Sequence, residues 1–164
     1  MHEREIPDEV PLGAMHPMRR LVLLVVQVGA VGLLAELLLI EHFEDPWQFA
    51  PLALLVLVLV ASVPAAVAPR RAVLRAFQAL MALCLAAGAL GVWLHYRGNV
   101  EFASEQDPAL RGARLFWEAV RGATPALAPG ALAQLGLLGL IYTFHHPALA
   151  RDVRGDAHPP REKT

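Results

Sequence analysis

The sequence predicts an all-α membrane protein, a four-transmembrane-helix bundle. Four apolar stretches carry this prediction, at residues 21–40, 49–68, 72–96 and about 130–146. An α-helix rises ~1.5 Å per residue and the bilayer core is ~30 Å thick, so about 20 apolar residues cross it. The composition agrees, since 56% of the 164 residues are hydrophobic and 18% are charged, against about 25% charged in soluble domains.

The predicted transmembrane domain covers residues 19–147 and leaves a polar tail at each end. Residues 1–18 contain Pro7, Pro11 and Pro17, which favours a disordered cytoplasmic tail. Met1 and Met15 are both candidate starts. The first apolar stretch exceeds the 7–15 residues of a signal-peptide core and lacks a small-residue cleavage site, so it is predicted to be a retained helix. Residues 148–164 are predicted to form a second cytoplasmic tail.

The positions of the arginines predict that both termini face the cytoplasm. Basic residues near span ends favour the cytoplasmic side. Arg19 and Arg20 precede the first span, Arg70 and Arg71 join the second to the third, and basic residues follow the fourth. All of these clusters fall on one side if the chain crosses the membrane four times. The small size and this topology favour a bacterial inner membrane.

The longest connection, residues 97–129, is predicted to be an outer loop that contains a helix at 109–120. Leu110, Ala113, Trp117 and Val120 share one face of this segment, as expected for an amphipathic helix. Such a helix suits the outer membrane interface. A helix packed on the tops of the spans is an equally good interpretation.

Polar side chains at one depth suggest a site in the outer half of the bundle. Glu36 lies four and seven residues after Gly32 and Gly29, and small residues line helix contacts. Glu36 is therefore predicted to point into the bundle. His95 ends the same spacing in the third span, and Gln134 is expected at the depth of Glu36. The three side chains are predicted to form an intramembrane polar cluster.

Three hypotheses explain this cluster. In the first, its hydrogen bonds only fix helix register, because buried polar groups need partners. In the second, His42, His95 and Glu36 bind a metal or haem, since histidine and carboxylates are ligands for zinc, iron and copper. The outer rim of that site would be formed by Glu44, Arg97 and Glu101. In the third, a desolvated Glu36 carries protons, because burial raises a carboxyl pKa.

The remaining patterns exclude several classes of function. The net charge of −1 gives no reason to expect nucleic acid as a partner. Cys84, the single cysteine, has no second cysteine for an internal disulfide or a C-x-x-C redox motif. Gly136 and Gly139 are predicted to mark a helix-packing surface. The favoured function is an accessory or structural subunit of a membrane assembly, with lipid, a membrane protein or a second copy as partner. A redox, metal or haem protein and a proton-coupled carrier are the alternatives, and the cofactor is left open.

Overall fold

The computed structural model describes residues 15–122 and 129–150, which form helices and contain no strand. The α-helices are α1 (Met15–Leu39), α2 (Phe49–Val67), α3 (Arg71–Gln106), α4 (Gly112–Arg121), α5 (Gly130–Thr143) and α6 (Pro147–Ala150), with a 3₁₀ turn at Pro46–Gln48. This confirms the all-helical prediction for the described part of the chain.

Three helical segments are long and apolar enough to cross a membrane: Pro17–Leu39, Pro46–Val67 and Arg71–Gln106. They indicate a membrane-embedded protein. The apolar helix α5 is shorter, with 14 residues, or about 21 Å at the usual helical rise.

Helices α1, α2, α3 and α5 form a closed ring in which each packs against two neighbours. The centre of the ring is filled by large, fully buried side chains that include Val26, Leu55, Val58, Phe77 and Met81. In lipid, such a core is stabilised by close packing rather than by removal of apolar surface from water. Shape complementarity therefore decides which helices are neighbours.

The tightest helix contact joins α3 and α5, and glycines make it possible. A Cβ atom added to Gly136 would lie 2.5 Å from the carbonyl oxygen of Met81 and 2.6 Å from the amide nitrogen of Leu85. One added to Gly88 would collide with the backbone of Ala133, and one added to Gly139 would collide with the side chain of Met81. The backbones thus approach as closely as small residues allow. This confirms the predicted packing role of Gly136 and Gly139, between helices of one chain.

A polar pair links α1 and α2 inside the bundle. The Nε2 of Gln27 donates to the hydroxyl oxygen of Ser62 at 2.9 Å, and that hydroxyl donates to the carbonyl oxygen of Leu59 at 2.8 Å. Gln27 lies near the middle of the candidate span Pro17–Leu39. The pair fixes the register of the two helices, since interhelical hydrogen bonds are directional where apolar contacts are not.

One end of the bundle, here called the arginine end, is closed by Arg19. Its guanidinium donates to the carbonyl oxygens of Tyr142 and Phe144 at 2.8 Å and of His145 at 3.0 Å. The last carbonyls of a helix lack intrahelical partners and favour a nearby cation. Arg19 therefore binds the start of α1 to the end of α5.

Tyr142 also donates a hydrogen bond that replaces one missing from α2 because of a proline. Its hydroxyl donates to the carbonyl oxygen of Ala65 at 2.6 Å. In a continuous helix that carbonyl would accept from the amide four residues later, but that residue is Pro69, which has no N–H. The tyrosine of α5 supplies the missing donor to α2.

The opposite end, here called the hairpin end, differs from the predicted loop. Helix α3 does not stop at Tyr96 but continues to Gln106, and its 36 residues reach about 54 Å. An ion pair of 3.1 Å between Arg97 and Glu101, four residues apart, supports the added turns. Pro108 ends the helix, because the residue before a proline avoids the helical conformation. Helix α4 then replaces the predicted helix at 109–120.

The other predicted boundaries shift by a few residues. Residues 15–18, assigned to the N-terminal tail, already belong to α1, and residues 148–150 belong to α6. The fourth apolar helix ends at Thr143 rather than at 146. The rest of both predicted tails lies outside the described residues.

Replacing Gly136 by alanine should destabilise the bundle by about 1–3 kcal/mol, the usual cost of inserting a methyl group into a packed core. The new Cβ would collide with the backbone of α3, which cannot move aside as a flexible side chain can. Thermal unfolding in mild detergent, followed by circular dichroism, measures the change.

Gly32→Ala is the matched control, because no described atom lies within 4 Å of the position where its Cβ would stand. Its unfolding temperature should stay the same or rise slightly, since alanine favours helix over glycine. Equal losses in the two variants would contradict the assigned α3–α5 contact.

Candidate functional site

The end of α1 turns His42 toward α3. The amide of His42 donates to the carbonyl oxygen of Leu37 at 2.9 Å, and that of Glu41 donates to Leu38 at 3.2 Å. This pair of bonds, with Glu41 at a φ of 54°, is a Schellman motif. Glutamate occupies the left-handed position that glycine usually takes, and the turn reverses the chain so that His42 reaches His95.

His42 and His95 are the predicted site residues that the structure brings together. Their ring centroids lie 6.5 Å apart with the ring planes tilted by 50°, and both side chains are half-buried. Bonds from a metal to imidazole nitrogen are about 2.0–2.1 Å long, so one ion could bind a nitrogen from each ring only after the two rings move closer together. Among the described residues, no group of three or more metal-binding side chains forms. The pair is a two-ligand site at most.

Glu36 does not point into the bundle as predicted. Its side chain is exposed on α1. Gly29 packs against Leu135, whereas three residues further on no described atom lies within 4 Å of a Cβ on Gly32. At the same level Leu33, Leu34 and Leu37 pack against the core, so the side of α1 that carries Gly32 and Glu36 faces away from the ring.

Gln134 also departs from the predicted cluster. The contact of Gly29 with Leu135 places Gln134 level with Ala30, about 9 Å deeper than Glu36 at 1.5 Å per residue. Its side chain is exposed on the surface of α5. The prediction that Glu36, His95 and Gln134 share one depth is wrong, because α5 sits lower against α1 than equal span lengths implied.

The predicted rim residues lie on the surface of the hairpin end. Arg97 pairs with Glu101, and both side chains are about 60% exposed, so the pair contributes little to stability. The guanidinium of Arg97 also lies 5.6 Å from the centre of the Trp93 ring. Glu44 is exposed, and its backbone amide donates to the side-chain oxygen of Gln48 at 2.7 Å.

A helical hairpin extends from this end, defined here as residues 97–122, the projecting part of α3 with α4 folded back on it. Asn99 is buried between the two helices, and its Nδ2 donates to the carbonyl oxygen of Ala119 at 2.9 Å. A Cβ on Gly122 would lie 2.5 Å from the side chain of Asn99. The two helices thus interlock around one amide.

An open groove of about 490 Å³ runs along this hairpin. Asn99 and Ala103 form its buried floor, and Phe102, Glu118 and Arg121 stand among its walls. Apolar surface beside side chains of both charge signs is typical of protein interfaces, in which aromatic residues and arginine are enriched.

An aromatic cluster flanks the hairpin. Tyr96 contacts Phe116 with ring centroids 5.9 Å apart, and Phe116 contacts Trp117 at 5.6 Å. Phe116 and Trp117 remain about half exposed. The face of α4 that packs on α3 contains Ala119, whereas the predicted apolar face contained Trp117. Trp117 instead faces away from the bundle.

Four side chains donate interhelical hydrogen bonds that were not predicted from the sequence: Arg19, Gln27, Asn99 and Tyr142. Arg19 was assigned only to topology. Gln27 is a polar residue in the middle of an apolar stretch, which is itself a signal that it needs a partner. Asn99 gave no such signal, because it follows the apolar stretch and resembles any loop residue.

Replacing Asn99 by alanine should loosen α4 without unfolding the bundle. The carbonyl oxygen of Ala119 would lose its side-chain donor, which costs about 1–3 kcal/mol for a buried group. Hydrogen exchange of the α4 amides should accelerate about 5- to 100-fold, as that free energy implies.

Gln106→Ala is the control, since Gln106 is exposed at the end of the same helix. Its α4 amides should exchange at the wild-type rate. Unchanged exchange in Asn99→Ala would show that the amide does not hold the hairpin together.

Comparison of the chain with protein families, with curated proteins and with solved structures finds no match to any of them.

Proposed function

We propose that the protein is an accessory subunit of a membrane assembly, anchored by four crossing helices and presenting the hairpin to a partner membrane protein. The observation that carries this proposal is the hairpin itself. Helix α3 is about 24 Å longer than the ~30 Å needed to cross the bilayer, and residues 97–106 account for about 15 Å of that excess. Asn99 fastens α4 to these added turns.

The fourth crossing is assigned to α5. Its 14 residues are fewer than the ~20 of a typical span, but the helix packs against the apolar part of α3 along its length. Arg19 connects its last carbonyls to the start of α1, which supports placing both helix ends at one membrane surface. A short span is accommodated by local thinning of the bilayer.

The arginine end is assigned to the cytoplasm and the hairpin end to the outer side of a bacterial inner membrane. Arg19, Arg20, Arg70, Arg71 and Arg75 gather at the first end, as the positive-inside rule requires. Trp93, Tyr96 and Trp117 then lie at the depth where aromatic rings prefer the interface. The α4 helix, with Phe116 and Trp117 exposed, then stands beside the projecting turns of α3 on the outer side of the membrane.

The groove of the hairpin is the proposed docking surface. It combines an apolar wall with the exposed charges of Glu118 and Arg121. A partner that places a carboxylate against Arg121 would gain orientation and selectivity more than raw affinity.

Charge reversal on α4 tests this proposal. Native mass spectrometry of the full chain, extracted from its own membrane in mild detergent, should show a stoichiometric second polypeptide. Arg121→Glu should lower its recovery about tenfold, since opposed like charges at an interface cost several kcal/mol.

Arg114→Glu is the matched control, because Arg114 is exposed on the same helix but does not line the groove. Its partner recovery should stay at the wild-type level. Equal losses in both variants, or spectra that contain only this chain, would contradict the docking role.

A second candidate function is metal or haem binding by His42 and His95, and it is favoured by the proximity of the two rings. Two histidines would supply two ligands, and water would complete the coordination, since no third metal-binding side chain among the described residues joins the pair. The proton-carrier hypothesis has no comparable observation, because Glu36 lies on the outside of the bundle and not among the other helices.

Titration of the purified protein with Cu²⁺, Zn²⁺ and haem separates this candidate from the first. One equivalent should bind per chain, and His95→Ala should abolish that binding. The control His145→Ala, an exposed histidine at the arginine end, should leave it intact. Binding that survives His95→Ala but falls with His145→Ala would reject the candidate.

A further inference from the structure

The outward surface of α5 carries a stripe of side chains that the ring of helices leaves uncovered. Gln134, Leu137 and Ile141 are exposed, and so is Phe144, one residue beyond the end of the helix. Their spacing of three, four and three residues follows the heptad pattern by which one helix packs along another. The opposite side of α5 is occupied by α3, against which Gly136 and Gly139 lie.

Gln134 is the only polar member of this stripe, and it lies near the middle of the bundle. Ala133 contacts Gly88, and Leu135 contacts Gly29, one residue from the centre of the span Pro17–Leu39. Gln134 is therefore within about 5 Å of the bilayer midplane. A carboxamide has two donor hydrogens and an acceptor oxygen, and hydrocarbon can satisfy neither.

We propose that α5 is a dimerisation helix, and that Gln134 hydrogen-bonds to Gln134 of a second copy of this chain. The inference rests on the fourth crossing proposed above, but not on the docking role of the hairpin.

The stripe is chemically complementary to itself, which identifies a second copy of this chain as the partner of α5. All copies insert in the same orientation, so a twofold axis normal to the membrane brings residues of equal depth together. A donor-and-acceptor amide at that depth pairs with itself, which a carboxylate or an ammonium group would not do. Leu137 and Ile141 then pack against Leu137 and Ile141 of the second copy. In such an arrangement one polar pair fixes the register of two helices whose other contacts are apolar.

Förster energy transfer between labelled full-length chains in liposomes measures the association as the protein-to-lipid mole fraction is varied. Gln134→Leu should raise the mole fraction at half-maximal dimer about tenfold, since a membrane-embedded hydrogen bond contributes ~1–2 kcal/mol. Gln134→Asn keeps both hydrogen-bonding functions and should stay closer to wild type. Circular dichroism checks that each variant retains its helices.

Cysteine crosslinking locates the interface. Leu137→Cys should form a disulfide-linked dimer on oxidation in the membrane. Val63→Cys, exposed on α2 across the ring from α5, should not. The native Cys84 is fully buried and should remain a monomeric thiol in both variants.

Three results would overturn the proposal: a wild-type chain that is monomeric at every mole fraction, equal crosslinking at positions 63 and 137, or unchanged association in Gln134→Leu. A crosslink from position 137 to a different polypeptide would also overturn it. That outcome would not contradict the accessory-subunit proposal. The accessory-subunit proposal is tested separately by partner recovery in Arg121→Glu, which probes the hairpin and not α5.

Discussion

The close approach of α3 and α5 is the constraint on which the rest of the bundle depends. Gly88 on one helix and Gly136 and Gly139 on the other bring the two backbones into contact, where dispersion forces rather than water exclusion supply the attraction. The position of α5 then decides three other contacts. Leu135 meets Gly29, the hydroxyl of Tyr142 reaches Ala65, and the last carbonyls of α5 reach Arg19.

The few polar contacts between helices determine register rather than cohesion. Apolar surfaces in lipid slide past one another at little cost, while a hydrogen bond such as that of Gln27 with Ser62 holds at one alignment only. The same principle operates in the hairpin, where Asn99 fixes α4 on α3. Because α3 belongs to both regions, one continuous helix positions the proposed docking groove relative to the membrane-embedded ring.

The apolar runs predicted the helical class and the candidate spans, since length and hydropathy are local properties of the chain. The register between spans was not predictable from them. The prediction that Glu36 and Gln134 lie at one depth was made by counting residues from the ends of the predicted spans. Because α5 is shorter than its neighbours, that count gave the wrong depth for Gln134. The continuation of α3 past Tyr96 was not predicted, because its added turns are polar and lack the apolar pattern of a span. These turns are stabilised by the i,i+4 ion pair of Arg97 with Glu101 and by contact with α4. The sequence placed His42 and His95 on the same side of the membrane. It did not predict that their rings would lie close together, because that proximity depends on the left-handed turn at Glu41.

The bond network of Arg19 has a consequence for biogenesis. Its acceptors lie 123 to 126 residues further along the chain, so Arg19 enters the bilayer interface long before α5 exists. During synthesis α1, α2 and α3 form an open row whose two outer helices both lack a neighbour. The ring closes only when α5 packs into it, and a nascent chain that stops short of residue 142 leaves α1 and α3 with unfilled glycine faces. Completion of this fold is therefore a single late event that the final helix controls.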